Sequence, residues 1–338
     1  MRFLRNSSTD PHYNMSFDEY CLERFPSDET VFYLWRNAPS VIIGLNQNVY
    51  SEVNLPYLED NGIVLARRVT GGGAVYHDLQ NLNYTIVGRS GDLDRDYPGY
   101  LHFVLDALRS LGVPAEINGR NDITVDGRKV SGYAKRVYKD RLMVHGTLMY
   151  DVDLGRLTEA LSVPGSKLDA AGIASVRSRV GNLREFLPQF TDIQEFQAAL
   201  ERILSRDYAD SRILLTEEQE TEIGEICRTK FSTWEWNFGH SPKARFCKSL
   251  RLPCGTVALS CGIVRGRIAG AAFGGDFIGS LPAEGAAAAL EGCRFAREDV
   301  LEVLRGIGVR RYFDDTSPEQ LAELFTPGAQ EVSGHPDE

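Results

Sequence analysis

The chain is poor in the features that mark disulfide-linked, zinc-binding and membrane-spanning proteins. Its 338 residues include six cysteines, and no two of them form a Cys-x-x-Cys pair. This spacing argues against a zinc ribbon and against a disulfide framework. The chain contains no run of about 18 apolar residues, and its N-terminus lacks the apolar core of a signal peptide. We therefore expect a cytoplasmic protein without a membrane segment.

The charge balance excludes a further class of function. Lys and Arg total 37 against 47 Asp and Glu, which gives a formal net charge of -10. Because such a surface repels a phosphate backbone, nucleic-acid binding is not expected. The balance reverses between residues 119 and 145, where seven Lys and Arg stand beside three acidic residues. This segment is predicted either to bind an anion or to form a solvated strand face. In the second case its lysines would prevent the sheet edge from pairing with another strand.

One segment combines two arginines with three consecutive glycines. Residues 67 to 78 read Arg-Arg-Val-Thr-Gly-Gly-Gly-Ala-Val-Tyr-His-Asp. Three glycines together cost on the order of 2 kcal/mol of conformational entropy, which a closely approaching ligand would offset. The segment matches neither a Walker A loop nor a dinucleotide fingerprint. We interpret it as a loop between two strands that receives an anionic ligand, with a ligand-free glycine hairpin as the alternative.

The order of predicted elements indicates an α+β fold. A capping-box spacing predicts a helix that starts near Ser16, and an apolar stripe predicts a second helix over residues 99 to 111. The strands between them do not alternate regularly with helices, so we expect a mixed, largely antiparallel sheet. We predict a catalytic domain over 1–242, a small α+β domain over 243–327 and a disordered tail over 328–338.

Asp122 and Lys129 flank a predicted Asp-Gly turn between two strands. Pairing of these strands would bring one carboxylate near one ammonium group. Such a pair suits a metal-nucleotide, because Asp binds Mg²⁺ through oxygen and Lys neutralises phosphate. The spacing fits a plain cross-strand salt bridge equally well.

His77 and His145 are isolated in the sequence, and either could be a base, a ligand or the donor of a local hydrogen bond.

Several motifs, in this order along the chain, resemble those of the lipoate-protein ligase family. The resemblance covers residues from about 12 to about 325 and is specific because the motifs are independent of one another. They are Arg67-Arg68-x-x-Gly-Gly-Gly-x-Val-Tyr-His-Asp, Gly119-Arg120-Asn121-Asp122, Lys129-Val-Ser-Gly, His145-Gly-Thr-Leu, Ser175-Val-Arg-Ser-Arg-Val and Trp234-Glu-Trp-Asn-Phe-Gly.

The resemblance implies a biotin/lipoate ligase fold, similar to the cores of class II synthetases, with a small C-terminal accessory domain. It implies that lipoate and ATP form lipoyl-adenylate with Mg²⁺ as cofactor. A lysine of an acceptor lipoyl domain then attacks the adenylate to form an amide. The implied acceptors are 2-oxoacid dehydrogenase E2 subunits and the glycine cleavage H protein. The ligase itself is expected to be a monomer.

The resemblance also assigns roles to individual residues. Lys129 is implied as the catalytic residue that bridges the lipoate carbonyl and the α-phosphate, and Asp122 as the metal ligand. Residues 165 to 182 resemble a loop that closes over the adenylate. The implied lipoate-binding residues are Gly71, Gly72, Gly73, Lys129 and His145. The implied residues for ATP or the adenylate are Arg68, Gly73, Ala74, Val75, Tyr76, Asn121, Asp122, Lys129 and Arg177.

Alternative functions on the same fold stay open at this point. An acyltransferase with a catalytic cysteine is disfavoured, because Cys21 is the only cysteine before residue 227 and lies in a predicted amphipathic helix. A cysteine-independent lipoyl or octanoyl amidotransferase and a non-catalytic acyl-binding module are compatible with the motifs. A biotin ligase is disfavoured by the lack of a Gly-Arg-Gly-Arg-x-Gly loop. Leu45 and Tyr133 depart from the family pattern and affect the expected ATP affinity and pocket depth.

Overall fold

The computed structural model describes residues 1–26, 29–89, 91, 93–118, 122–161, 179–205, 212–326 and 332–333. The α-helices are α1 (Pro11–Glu23), α2 (Val49–Glu52), α3 (Leu55–Asp60), α4 (Leu93–Ser110), α5 (Leu154–Leu161), α6 (Ile193–Leu204), α7 (Glu217–Ile226), α8 (Trp234–Asn237), α9 (Glu284–Leu290), α10 (Arg297–Ile307) and α11 (Pro318–Ala322). Shorter turns of 3₁₀-helix lie at Leu183–Phe186, Val309–Arg311 and Glu323–Phe325, and a π-helical turn lies at Cys227–Phe231.

The strands form three sheets within the described ranges. They are β1 (Arg2–Leu4), β2 (Val31–Trp35), β3 (Ser40–Ile43), β4 (Val64–Arg67), β5 (Val75–His77), β6 (Asn81–Arg89), β7 (Glu116–Asn118), β8 (Asp122–Val125), β9 (Arg128–Tyr138), β10 (Arg141–Met149), β11 (Arg212–Ile213), β12 (Ala244–Leu252), β13 (Gly255–Val264), β14 (Arg267–Gly275) and β15 (Val332–Ser333). The largest sheet has the order β11-β1-β2-β6-β10-β9-β8-β7, and the smaller ones have the orders β4-β3-β5 and β14-β13-β12-β15. Parallel pairing is confined to β1 with its two neighbours and to β3 with β4. The predicted α+β class and mixed, largely antiparallel sheet are confirmed.

The chain divides into two compact units. The described part of the first comprises Met1–Leu45, Gly62–Leu161 and residues 179–233. The described part of the second comprises Asn46–Asn61, residues 234–326 and β15. The domain boundary expected after residue 242 stays a prediction. Within the predicted disordered tail, β15 is a short strand that pairs with β12, and the rest lies outside the described residues.

The two faces of the large sheet in the first unit carry different side chains. Side chains alternate between faces along each strand, so neighbouring residues have different environments. The face toward α4 and α6 carries buried apolar side chains, among them Phe32, Leu34, Tyr84, Ile86, Leu142 and Val144. On the opposite face Tyr33, Thr85 and His145 lie side by side on β2, β6 and β10. The sheet therefore presents a row of polar groups toward α1.

Helix α1 begins five residues earlier than the sequence predicted. The carboxylate of Asp10 accepts hydrogen bonds from the amides of His12 and Tyr13, and Pro11 occupies the first helical position. Ser16 is inside the helix, where its hydroxyl donates to the carbonyl of His12. The predicted capping box at Ser16 was therefore wrong, because the Asp-Pro pair provides a stronger start signal.

Other boundaries differ by smaller amounts. Helix α4 begins at Leu93 rather than 99, and the helix expected to reach residue 230 changes to a π-helical turn at Cys227. Strands β1 and β11 were not predicted because they have three and two residues. No helix in the described ranges combines the length and apolar character that crossing a bilayer requires.

We expect Gly146→Ala to destabilise the first unit. A Cβ atom at residue 146 would lie 2.5 Å from the hydroxyl and 2.6 Å from Cζ of Tyr84, whose ring is fully buried. Forced overpacking of this kind costs about 1–3 kcal/mol in the free energy of unfolding, which urea denaturation measures. Gly224→Ala is the control, because a Cβ there has open space and favours α7 by about 1 kcal/mol. Equal stability of the two variants would contradict this packing.

Candidate active site

A pocket in the first unit collects most of the residues singled out from the sequence. Its cavity volume is about 110 Å³. Met15, Trp35, Ile42 and Tyr133 give it an apolar lining. The sequence-predicted residues on its wall are Arg68, Gly72, Gly73, Ala74, Val75, Lys129 and His145.

The glycine loop connects β4 to β5, as the sequence predicted. Arg68 holds this loop from one side: its Nη2 donates to the carbonyls of Gly71 at 2.7 Å and Gly73 at 2.8 Å. Its Nη1 donates to the carbonyl of Ile42, and its Nε donates to the hydroxyl of Thr70. Four of the five N–H groups of this guanidinium are therefore used within the protein. Arg68 acts as a clamp on the loop.

Arg67 is fully buried and also binds backbone. Its Nη1 donates to the carbonyls of Gly44 and Leu45. Burial and the neighbouring Arg67 lower the pKa of Arg68 to about 10, so the guanidinium of Arg68 stays cationic at neutral pH. The double arginine therefore shapes the loop, and the sequence had suggested mainly that it would face an anion.

The three glycines of the loop have different structural requirements. Gly72 has a φ of 97°, which side chains other than glycine rarely adopt. At Gly71 and Gly73 a Cβ atom would meet nothing within 4 Å, and neither residue has a positive φ. The amides of Gly72 and Gly73 have no acceptor among the described residues. The protein itself therefore gives no reason for glycine at 71 and 73, and the two free amides are available to an anionic ligand.

Lys129 and Asp122 form the pair that the sequence suggested. The Nζ of Lys129 lies 2.7 Å from Oδ1 of Asp122, and about a third of each side chain is exposed. The pair lies on β8 and β9, where Lys129 faces Thr124 across a β-bulge. An ion pair as exposed as this contributes little to stability, about 0–1 kcal/mol. Another anion can therefore replace Asp122 as the partner of Lys129. Lys129 is on the pocket wall, and Asp122 is beside the pocket.

His145 and His77 both line the pocket but have different surroundings. His145 contacts Asp18 through Nδ1 and Thr70 through Nε2, each at 2.7 Å. His77 is buried, with its Nδ1 3.1 Å from the amide nitrogen of Asn37. Burial, then Arg68 and His145, lower the pKa of His77 to about 3. His77 is therefore neutral at physiological pH and is poorly suited to act as a general base.

Not all predicted site residues reach the pocket. Gly71, Tyr76 and Asp122 are adjacent to it and are not on its wall. Burial, together with Asp78, raises the pKa of Tyr76 to about 12, so its hydroxyl keeps its proton at neutral pH. Asn121 and Arg177 lie outside the described residues, as does the loop expected to close over the site up to residue 178.

Three cations of the basic segment between residues 119 and 145 have acidic partners. Arg128 pairs with Glu185 and Arg136 with Glu23, in addition to the pair that Lys129 makes. The interpretation of this segment as a solvated strand face therefore accounts for part of its charge. Lys129 is the cation of the segment on the pocket wall.

Sequence reasoning missed Asp18, Thr70 and Trp35. Asp18 is 1% exposed in the middle of α1, and nothing in the sequence separates it from the neighbouring Glu19. Thr70 is inside the recognised motif, but its hydroxyl contacts Nε2 of His145, which is 75 positions away in the sequence. Only the register of the sheet brings these groups together.

We expect Gly73→Ala to impair ligand binding without impairing folding. A Cβ atom at residue 73 has open space in the protein, so the Tm should stay equal or rise slightly. The added methyl group would occupy the side where a ligand approaches, so we expect KM for at least one substrate to rise at least about tenfold, or about 1.4 kcal/mol. Gly72→Ala is the comparison, because its positive φ should lower the Tm as well. Wild-type KM values in Gly73→Ala would contradict this interpretation.

Comparison with known proteins identifies the family. A family model described as the lipoyl protein ligase A/B catalytic domain matches residues 10–205, and a model of the bacterial lipoate protein ligase C-terminus matches residues 241–325. A lipoate-protein ligase of Bacillus subtilis is 37% identical over 330 residues, which are 96% of this chain and 100% of the relative.

Solved structures give the same result. A bi-partite lipoate protein ligase of Thermoplasma acidophilum, studied with its E2 lipoyl domain, has a TM-score of 0.65 and 33% identity over 71% of this chain and 97% of that chain. A lipoate-protein ligase A bound with ATP has a TM-score of 0.61 and 32% identity over 71% of this chain and 98% of that chain. The resemblance carried by the sequence motifs is confirmed, and the chain belongs to the lipoate-protein ligase family.

Proposed function

We propose that this protein is an ATP-dependent ligase that joins lipoate to a lysine of a lipoyl-domain protein, and that the pocket binds the lipoyl-adenylate. The observation that carries the proposal is the glycine loop. Its carbonyls are bound by Arg68, whereas the amides of Gly72 and Gly73 are free beside an apolar cavity. An acyl chain fits the apolar lining, and a phosphate fits the free amides. An acyl-adenylate contains both parts.

The reaction takes place in two steps. The lipoate carboxylate attacks the α-phosphorus of ATP, and pyrophosphate leaves. The amine of the acceptor lysine then attacks the acyl carbon, AMP leaves, and the amine loses a proton as the amide forms. Negative charge grows on oxygens next to the α-phosphorus in the first step and on the carbonyl oxygen in the second. Lys129 is a partly exposed cation on the pocket wall, and it can stabilise the negative charge that grows in each step.

The residues near Lys129 fit a magnesium ion that arrives with the nucleotide. Mg²⁺ is usually held by one or two carboxylates together with substrate phosphates. Asp122 offers one partly exposed carboxylate beside the pocket. In the described part of the chain no three Asp, Glu, His or Cys side chains form a cluster that would hold a metal alone. Asp122 would therefore hold the ion together with phosphate oxygens, and the ion would neutralise their charge.

The acceptor is expected to be a folded lipoyl domain. The Thermoplasma relative was studied with its E2 lipoyl domain, which supports acceptors of this class. E2 subunits of 2-oxoacid dehydrogenases and the glycine cleavage H protein are the acceptors that we propose. A cytoplasmic location and a monomeric state are part of the same proposal.

The cysteine-dependent alternative is not supported by the surroundings of Cys21. This side chain is fully buried in α1, and burial, then the nearby Asp18, raise the pKa of its thiol far above the usual range. A thiol in this environment is a poor nucleophile. A cysteine-independent amidotransferase is the second candidate, because it would use the same acyl pocket without ATP.

Pyrophosphate exchange separates these candidates. Only an enzyme that makes the adenylate reversibly will move labelled pyrophosphate into ATP in the presence of lipoate. We expect exchange with lipoate in the purified protein, with octanoate and biotin run in parallel to define the acyl preference. An absence of exchange, together with ATP-independent transfer to a lipoyl domain, would establish the amidotransferase instead.

We expect Lys129→Met to lose at least about a hundredfold in exchange rate, because a preorganised charged donor is worth about 3–4 kcal/mol in the transition state. The Tm should stay near the wild-type value, since the ion pair with Asp122 is partly exposed. Arg128→Met is the matched control. It removes the neighbouring cation, which pairs with Glu185 and is not on the pocket wall. An unaffected rate in Lys129→Met, or an equal loss in the control, would refute the role of Lys129.

A further inference from the structure

A continuous row of buried hydrogen bonds joins α1 to the glycine loop. Asp18 lies at one end, where its carboxylate contacts His145 at 2.7 Å. His145 contacts Thr70 at 2.7 Å, and Thr70 accepts a bond of 3.0 Å from Nε of Arg68. Arg68 in turn holds the carbonyls of Gly71 and Gly73. The four side chains of the row are between 1% and 6% exposed.

The chemistry of the partners fixes the direction of the bond between Asp18 and His145. The carboxylate of Asp18 also accepts from the hydroxyls of Tyr33 at 2.6 Å and Thr85 at 2.9 Å. Because an ionised carboxylate only accepts, Nδ1 of His145 must carry a proton. Thr70 accepts from Arg68, so its own hydrogen is free to point at Nε2 of His145. The row is complete when His145 donates from Nδ1 to Asp18 and accepts at Nε2 from Thr70.

Thr70 itself is not placed to react. An aspartate, a histidine and a hydroxyl in line are also the components of a nucleophilic triad. Here the hydroxyl is 1% exposed, is absent from the pocket wall and already binds the guanidinium of Arg68. The row therefore transmits orientation to the loop and does not supply a nucleophile.

We propose that Asp18 and Thr70 are positioning residues, which act through His145 and Arg68 to fix the nucleotide-binding face of the glycine loop. This inference rests on the proposed function, because it assigns the free amides of Gly72 and Gly73 to ATP. Four hydrogen bonds hold the plane of the Arg68 guanidinium, and Thr70 accepts the one from Nε. Loss of Thr70 Oγ1 lets the plane rotate, and the amides then turn away from the phosphate.

Kinetics of Thr70→Val test the proposal. We expect KM for ATP in the exchange assay to rise about tenfold, the factor for one lost hydrogen bond to a charged group. Thr70→Ser retains the hydroxyl and should restore KM for ATP to within about twofold of wild type. Thr316→Val is the matched control, since it removes an equally buried hydroxyl in the second unit. Wild-type KM for ATP in Thr70→Val, or an equal rise in Thr316→Val, would overturn the proposal.

The proton position on His145 gives a second test that does not depend on activity. The chain has six histidines, so the imidazole nitrogens can be assigned by ¹⁵N NMR with His145→Gln as the reference variant. We expect wild-type His145 to carry its proton on Nδ1. In Asp18→Asn the amide faces Nδ1 as a donor, so the proton should move to Nε2. A wild-type ring protonated at Nε2, or an unchanged ring in Asp18→Asn, would contradict the row.

The two tests separate the inference from the function on which it rests. If the wild-type protein shows no lipoate-dependent exchange, the proposed function fails, whereas the NMR result still decides whether Asp18 fixes the ring. If the wild-type protein is active and Thr70→Val has a normal KM for ATP, only the positioning role fails. Should Thr70→Val fold poorly, Asp18→Asn and the wild-type NMR spectrum decide the outcome.

Discussion

The site depends on one buried guanidinium. Arg68 binds Gly71 O, Gly73 O and Ile42 O and so joins a loop that contains three glycines to the strand beside it. A free segment of this composition would sample many conformations, and ordering it costs more entropy per residue than ordering any other. A buried cation that uses four of its donors on backbone and threonine oxygens offsets that cost. The loop is therefore preorganised with its carbonyls inward and its amides outward.

Polar side chains on one face of the large sheet support the guanidinium indirectly, through the contact of His145 with Thr70. An isolated buried charge is expensive, so its donors need fixed acceptors. Tyr33, Thr85 and His145 lie side by side on β2, β6 and β10, and the carboxylate of Asp18 on α1 accepts hydrogen bonds from all three. The apolar face of the same strands packs on α4 and α6. One pleated sheet thus supplies both the hydrophobic core and the polar support of the site.

The sequence predicted the parts of this arrangement that are local. The glycine loop between two strands, the pairing of Asp122 with Lys129 and the α+β class are properties of short segments, and all three are found in the structure. The predicted role of the double arginine was incomplete. The sequence could not show that the carbonyls of Ile42 and Gly44 lie close enough to accept hydrogen bonds from the two arginines. Asp18 was missed since it is a charged residue in a helix, where exposure is the normal expectation. Such contacts depend on sheet register, which a single sequence does not specify.

The cations of the site differ in how firmly the protein holds them, and this difference suits the proposed reaction. Arg67 and Arg68 are buried and committed to backbone oxygens, so they hold geometry and cannot follow a moving charge. About a third of the Lys129 side chain is exposed, and its ion pair with Asp122 contributes little to stability. A substrate carboxylate or phosphate can therefore replace Asp122 as its partner at little cost. In the proposed reaction, that exchange would release Asp122 for a metal ion that arrives with the nucleotide, and one weak ion pair would then prepare both the electrophilic cation and the metal ligand.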